Sequence, residues 1–264
     1  VMLQAKRNKI FTKIRYTERH WADYRVPADS FTYLSMRLPI HGKRLKNTAG
    51  MERCANALLA YKNGIYEGRV NISDSYQKSG FFSGAHGLPN SAALEDDGNR
   101  WNIDYPYGKV NHFKVTSTNT WTKRKLQTKL TLGYQLNHRE EWSRFHTHNP
   151  AQTPPDIDPD KELMFHLHTG STQLQFRLTP NHSWEFYGGL STTWQHNSIG
   201  GYGFLIPAYN RWEGGSYLLA NYRPHSDLRL SGSVRYDIGH VHTQPYEDLV
   251  QKVVRNFGQA FRDV

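Results

Sequence analysis

The sequence predicts an all-β fold, an antiparallel transmembrane β-barrel of which this chain supplies about ten strands. Three observations favour it: long strands that alternate apolar and polar residues, an alternation of short turns and long loops, and no apolar run that fits a membrane helix. The segment Leu126–Glu141 shows the pattern best, since Leu126, Leu130 and Leu136 share one face. Strands of soluble proteins usually have ~5–6 residues. So long an amphipathic strand favours a wall between lipid and water.

The composition is compatible with this fold. The chain has 264 residues, 37% of them hydrophobic, and a mean hydropathy of −0.75. In a barrel only every second wall residue meets lipid, so a polar average is expected. No stretch approaches the ~20 consecutive apolar residues of a membrane-spanning helix, which excludes helical membrane proteins. The 16 Tyr, 12 Phe and 7 Trp fit aromatic girdles at membrane interfaces, or equally the core of a β-sandwich.

The chain carries a formal net charge of +10. A basic protein can bind nucleic acid, but the basic residues here are not clustered in one patch or helix. Many alternate with apolar residues along strands, as Arg229 and Arg235 do. We therefore predict no nucleic-acid partner and interpret these residues as lumen and rim charges. Such charges would attract an anionic solute or anionic lipid headgroups; simple solvation of a polar face is the alternative.

In the first half of the chain, alternating residues predict four strands and one long loop. The Asn63-Gly64 pair is a strong type I′ hairpin signal between the third and fourth strands. The long segment Phe81–Gly108 is rich in Gly, Asn, Asp and Pro, so it is predicted as a loop. The four strands are predicted at 10–17, 34–40, 53–62 and 65–76.

Six further strands follow, and their connections are alternately short and long. A change in the phase of the alternation near Gly170 predicts a β-bulge. The segment Tyr246–Phe261 has the apolar spacing of a helix. Short turns and long loops fall at opposite ends of the strands, as in outer-membrane barrels. The six strands are predicted at 110–121, 126–142, 162–178, 184–194, 212–223 and 228–238.

The two ends of the sequence indicate that it is part of a longer protein. Val1–Arg7 is too short and too polar to be a signal peptide. The single cysteine, Cys54, excludes an intrachain disulfide. The chain does not finish on a strand with a terminal aromatic residue. We therefore predict that residues 1–264 form a partial barrel domain, without a plug domain or the C-terminal strands.

Three segments resemble the barrel domain of TonB-dependent outer-membrane receptors, especially the Bacteroidetes-type members. They are Gly80–Pro89, Asp104–His112 and Gly133–Glu141, the last ending in Tyr-Gln-Leu-Asn-His-Arg-Glu-Glu. The resemblance extends roughly from Lys9 to Arg262. It implies a 22-stranded barrel in the bacterial outer membrane, with a plug domain inside. It also implies uptake of a scarce metal chelate, such as a ferric siderophore, haem or cobalamin, with energy from TonB acting through the plug domain that this chain lacks.

No enzyme signature is present, so we predict a protein that is not an enzyme and needs no cofactor. Nucleophile-elbow, Walker A, zinc-protease and dinucleotide-binding motifs are all missing. Two alternatives to the receptor remain open. One is a passive outer-membrane porin or structural barrel, and the other is a soluble β-sandwich protein.

Aromatic and basic residues in or beside the predicted loops are the candidate ligand-binding residues. Aromatic faces together with arginine suit a large, flat, anionic ligand. Interface girdles and loop packing would account for the same residues without a ligand. The candidates are Phe81, Phe82, His86, Trp101, Tyr105, Arg139, Trp142, Arg144, Tyr202, Tyr209, Arg211 and Trp212.

Three histidine pairs have His-x-His spacing, which puts both rings on one face of a strand, where they could bind a metal or a haem iron. The pairs His146/His148 and His240/His242 lie at or near predicted extracellular loops, where a ligand would arrive. They are the candidate metal ligands, ahead of His166/His168. Polar loops and lumens also tolerate histidine without any such role.

Overall fold

A computed structural model describes residues 1–33, 35–82, 94–145, 153–250 and 252–257. Ten strands form one antiparallel sheet in the order β1-β2-β5-β6-β7-β8-β9-β10-β11-β12. They are β1 (Met2–Arg7), β2 (Ile10–Trp21), β5 (Gly50–Asn63), β6 (Tyr66–Gly80), β7 (Tyr107–Lys123), β8 (Leu126–Trp142), β9 (Lys161–Leu178), β10 (Trp184–Gly200), β11 (Tyr209–His225) and β12 (Leu228–Thr243). Two small hairpins, β3 (Ser30–Tyr33) with β4 (Met36–Pro39) and β13 (Tyr246–Asp248) with β14 (Val253–Arg255), and one 3₁₀ turn, His41–Lys43, lie outside this sheet.

The strands have the height that the alternation predicts. The longest, β9, has 18 residues and β8 has 17, or roughly 60 Å of extended chain. The predicted sorting of connections is also confirmed. Two-residue turns such as Gly64-Ile65 and Arg124-Lys125 close one end, which we call the short-turn end. The connections β2–β5, β6–β7, β8–β9 and β10–β11 close the other, the long-loop end.

Continuous register separates the sheet into an apolar face and a polar face. One row on the apolar face runs Ile14, Ala57, Ile72, Val115 and Tyr134 from β2 to β8. Such residues are exposed although apolar: Leu190 is 58% exposed and Val234 65%. An exposed apolar surface of this extent needs a nonaqueous partner, which fits a barrel wall against lipid and disfavours the soluble β-sandwich.

Aromatic residues gather on the apolar face at the short-turn end. Tyr66 lies 5.5 Å from Trp121 between ring centroids. Farther along the wall, Trp184 stacks on Tyr222 at 4.3 Å. Aromatic side chains at one level of an apolar wall form the girdle expected where a barrel meets the membrane interface. The all-β barrel fold is thus confirmed.

The count of ten wall strands is right, but one member differs. The predicted strand 34–40 is not in the wall, because β3 and β4 fold as a hairpin inside the β2–β5 loop. Ser35 has φ 68°, which breaks the extended run; Leu34 lies outside the described residues. The tenth wall strand is instead β1, which pairs with β2 across the turn at Asn8-Lys9.

The predicted bulge near Gly170 is wrong. Register is continuous there, with Gly170 opposite Tyr134 on β8 and Trp194 on β10. The alternation of apolar and polar residues changes phase along β9 because, near the loops, the apolar residues Leu163 and Phe165 are buried on the polar face. The register shifts that do occur lie between Glu141 and Trp142 and between Tyr222 and His225.

The helix predicted at Tyr246–Phe261 is also wrong over the described part of that segment. β13 and β14 pair there as a short hairpin, and Lys252 between them has φ 55°. Residue 251 and residues 258–264 lie outside the described chain. Nowhere in the described residues is there a helix long and apolar enough to cross a membrane.

Candidate functional site

Two loops at the long-loop end are joined through the carboxamide of Asn47, which is 3% exposed. Its Nδ2 donates to the carbonyl oxygens of Phe81 (3.0 Å) and Pro106 (2.8 Å), and its Oδ1 accepts from the Asp104 N–H (2.8 Å). A side chain at Gly80 would collide with Asn47. Asn47 therefore fixes the β2–β5 loop against the β6–β7 loop.

Asp23 supports the same loop base. Its Oδ1 accepts from the N–H groups of Thr48 (2.8 Å) and Ala49 (2.9 Å). Burial raises the pKa of this carboxyl, partly offset by those two hydrogen bonds. Thr48 Oγ1 in turn accepts from the Tyr24 N–H at 2.8 Å. The loop base is thus a hydrogen-bonded unit rather than a loose connection.

Asn47→Ala should loosen this base without disturbing the wall. Three hydrogen bonds are lost, and at about 1 kcal/mol each they predict a local loss of about 3 kcal/mol. Hydrogen exchange in the full-length protein should become about 100-fold faster at the amide of Asp104. The control Asn56→Ala removes an asparagine from the polar face of β5, where it bonds Asn71. Equal exchange in both variants would contradict the role given to Asn47.

A pocket opens above this base, with a volume of about 380 Å³. Arg100 lies with its guanidinium 5.5 Å from the Trp101 ring centroid, and Trp101 is half exposed. Arg44 Nη1 donates to the Asp23 carbonyl at 3.2 Å. Four basic side chains and one indole therefore face two carboxylates. We call it the loop pocket; its charged and aromatic lining residues are Asp23, His41, Arg44, Lys46, Asp96, Arg100 and Trp101.

A groove of about 690 Å³ lies near the long-loop ends of β10, β11 and β12, lined mainly by residues of the polar face. Gly215 and Gly239 carry no side chains and so leave the groove open. Tyr209 and Arg211 lie along it. Arg211 pairs with Glu213. We call this the polar-face groove.

Arginine–carboxylate pairs recur on the polar face, but positive charge remains in excess. Arg235 donates to both carboxylate oxygens of Asp237, at 2.5 and 2.7 Å. Similar pairs are Arg139 with Glu141, Arg69 with Glu67 and Arg177 with Glu185. Other basic side chains of this face have no carboxylate within ion-pair distance in the described chain. They include Lys13, Arg15, Lys114, Lys129 and Arg229. A net positive lumen face would attract an anionic solute.

The other predicted ligand-binding residues divide into several settings. Phe81 and Phe82 pack at the loop base, where Phe82 meets Phe31 at 5.2 Å. The Arg144 guanidinium lies 5.7 Å from the Tyr105 ring, so these two are together. Tyr202 is packed against Phe145 at 5.2 Å, and burial, with the nearby carboxylate of Glu162, raises its pKa to about 12.

Two predicted residues lie on the apolar face instead. Trp212 is 56% exposed there, opposite Trp194 and His240, so it is separated from Arg211 by the thickness of the sheet. Trp142 also lies on the apolar face, stacked on Tyr107. His86 lies outside the described residues. As ligand contacts, all these residues remain predictions.

The histidine pairs do not converge on a metal site within the described residues. His240 and His242 share the apolar face of β12, and His146 and His148 lie outside the described chain. His166 and His168 also face the apolar side, with His138 and His196 as ring neighbours at 5.0 and 6.3 Å. Across the part of the chain that the structure describes, no group of three or more His, Cys, Asp or Glu is arranged to hold a metal ion.

Sequence reasoning missed four of the five basic or aromatic residues of the loop pocket. His41, Arg44, Lys46 and Arg100 were not among the candidates, whereas Trp101 was. The basic run Lys43-Arg44-Leu45-Lys46 is a usable signal. The hydrogen bonds of the loop base, which the sequence does not reveal, bring this basic run beside Arg100.

Known proteins match this chain in structure but not in sequence. No family model matches the chain, and no curated protein sequence matches it. The FrpB iron transporter from Neisseria meningitidis (F3-3 variant) superposes with a TM-score of 0.62 and 14% identity, over 96% of this chain and 40% of that one. The apoprotein form of the F5-1 variant gives 0.62 and 12%, over 96% and 38%. The chain spans about 40% of the length of these transporters. In fold, it is therefore a ten-stranded part of a β-barrel of the kind that the FrpB iron transporter has.

Proposed function

We propose that the chain forms part of the barrel wall of a TonB-dependent receptor in the bacterial outer membrane, and that the receptor imports an anionic iron chelate. The observation that carries the proposal is the wall itself, ten tall strands with an exposed apolar face and a basic polar face. Its likeness in fold to an iron transporter over 96% of the chain supports the choice of cargo.

The two faces suggest how the wall would work. With the apolar face toward lipid, the polar face lines the lumen and the long loops lie outside the cell. The loop pocket would capture the chelate by charge and by stacking on Trp101. The polar-face groove, with Tyr209 and Arg211, would then offer contacts along the passage. These residues bind and guide the solute, and no bond in it is made or broken.

Charge favours some of the predicted cargoes over others. A ferric siderophore with acidic ligands, or haem with its two propionates, complements the basic loop pocket and lumen better than cobalamin does. Energy from TonB would reach the cargo through a plug domain elsewhere in the full-length protein. Membership of the Bacteroidetes-type subgroup remains a prediction.

Uptake of labelled iron by a strain lacking the gene tests the proposal. Cells with and without the full-length protein are given radioactive iron as ferric siderophores, ferric citrate or haem under iron limitation. We expect one chelate to accumulate only in complemented cells, and an uncoupler of the proton gradient to stop it. Uptake that is passive and insensitive to the uncoupler would indicate the porin alternative, and no difference for any chelate would overturn the proposal.

A further inference from the structure

A cluster of three lysines lies on the apolar face at the long-loop end, where a lipid-facing surface should carry few charges. Lys78, Lys109 and Glu140 are consecutive partners across β6, β7 and β8, and Lys161 begins β9 beside them. Their side chains are partly buried, since those of Lys109 and Lys161 are 31% and 27% exposed. We call Lys78, Lys109 and Lys161 the lysine cluster.

Two stacked aromatic rings hold the three ammonium groups together. Tyr107 and Trp142 stack with 14° between their planes. Lys78 Nζ lies 4.2 Å from the Tyr107 centroid. Lys109 and Lys161 lie 4.6 and 4.9 Å from the Trp142 centroid. Ring faces attract ammonium groups without neutralising them, so the cluster keeps its charge.

One carboxylate, that of Glu140, pairs with two of the three lysines. Glu140 Oε2 accepts from Lys109 Nζ at 2.9 Å, and Glu140 Oε1 lies 3.8 Å from Lys161 Nζ. Glu140 also accepts from Trp142 Nε1 at 2.8 Å and lies 3.1 Å from His138 Nε2. Lys78 has no carboxylate within ion-pair distance among the described residues. Among the described residues, the three ammonium groups therefore outnumber the carboxylates that form ion pairs with them.

The height of the cluster on the wall indicates what would supply the negative charge. Trp121, in the aromatic girdle at the short-turn end, and Lys109 lie on the same strand and the same face, twelve residues apart. That separation is about 40 Å along the strand, or about 28 Å along the membrane normal at a tilt of ~45°. The apolar band of such barrels is ~25 Å tall. The ammonium groups therefore lie just beyond it, at the level of outer-leaflet headgroups.

We propose that the lysine cluster binds the phosphate headgroup of an anionic lipid in the outer leaflet, with the acyl chains against Phe113 and Val115 below. The site faces away from the polar-face groove, so cargo in the lumen cannot reach it. The inference rests on the membrane location of the wall and not on the identity of the cargo. Failure of this site would leave the uptake experiment above unaffected.

Native mass spectrometry of the full-length protein, titrated in detergent with phosphatidic acid, tests the site. Each lysine near a membrane surface contributes to anionic-lipid binding by about five-fold. The double variant Lys78→Gln, Lys161→Gln should therefore weaken binding of the first lipid by at least about five-fold. The control Lys114→Gln makes the same change on β7, but on the polar face, and should bind like wild type. Lys78→Arg with Lys161→Arg keeps the charge and should retain binding, which separates a lost site from a misfolded protein.

Three results would overturn the proposal. Equal weakening in Lys114→Gln would mean that binding follows overall charge. Unchanged binding in the double glutamine variant would mean that the lysines do not hold the headgroup. Displacement of the lipid by ammonium phosphate at modest excess would assign the site to free phosphate and not to a lipid.

Discussion

Arg44→Glu with Arg100→Glu is expected to reduce the affinity of the full-length protein for the proposed ferric chelate by about 100-fold or more. The two guanidinium groups line the loop pocket together with Trp101. Hydrogen bonds to charged groups contribute about 1.5–3 kcal/mol each, and each 1.4 kcal/mol is a tenfold change. Calorimetric titration with the chelate identified by the uptake assay measures the loss, which should shrink as salt is added.

Arg124→Glu is the matched control, because Arg124 lies in the turn between β7 and β8 at the opposite end of the wall. It reverses one arginine charge instead of two, far from the pocket, and should leave affinity within about two-fold of wild type, because distant surface charges are screened at physiological salt. If the double variant also binds normally, the loop pocket is not where the chelate is captured.

Gly215→Phe is expected to block passage while leaving capture intact. A side chain at Gly215 would collide with the carboxylate of Asp237 on the neighbouring strand, so a benzyl group would displace Asp237 from Arg235 and fill the polar-face groove. We expect uptake to fall at least about tenfold with chelate affinity nearly unchanged, because overpacking of ~1–3 kcal/mol is confined to the groove. Cell-surface binding and accumulation of the labelled chelate separate the two effects.

Gly232→Phe provides the comparison on β12. A Cβ at Gly232 meets no atom within 4 Å, and this residue is on the apolar face, where an aromatic side chain fits among lipid chains. Uptake and expression should remain normal. If both phenylalanine variants transport normally, the groove does not line the route of the cargo.

The architecture of the wall follows from period-two alternation and from the placement of turns, both of which are local signals. That is why β8 was predicted with the bounds it has, Leu126–Trp142. Residues 34–40 are predicted as a wall strand because Leu34, Met36, Leu38 and Ile40 lie at every second position, whereas β1 (Met-Leu-Gln-Ala-Lys-Arg) alternates less clearly. Only pairing with β2 distinguishes the two, and pairing is a long-range property.

The candidate site was less accessible to sequence reasoning, for two different reasons. Arg211 and Trp212 are neighbours in sequence and were grouped as ligand contacts, yet consecutive residues of a strand face opposite sides. The alternation alone could have separated them. The loop pocket, by contrast, joins Arg44 to Arg100 through a base organised by Asn47. No local pattern predicts which loops will meet.

The proposed function requires that the apolar face of the wall contacts lipid and that the polar face does not. A fluorescent thiol label at Leu132→Cys or at Thr131→Cys in the full-length protein, with Cys54→Ser, tests it in bilayers that contain nitroxide-labelled lipid. These two positions are adjacent on β8 and face opposite sides. We predict strong quenching at 132 and little at 131. Equal quenching at both positions, or none at 132, would mean that the apolar face is not the surface that contacts lipid.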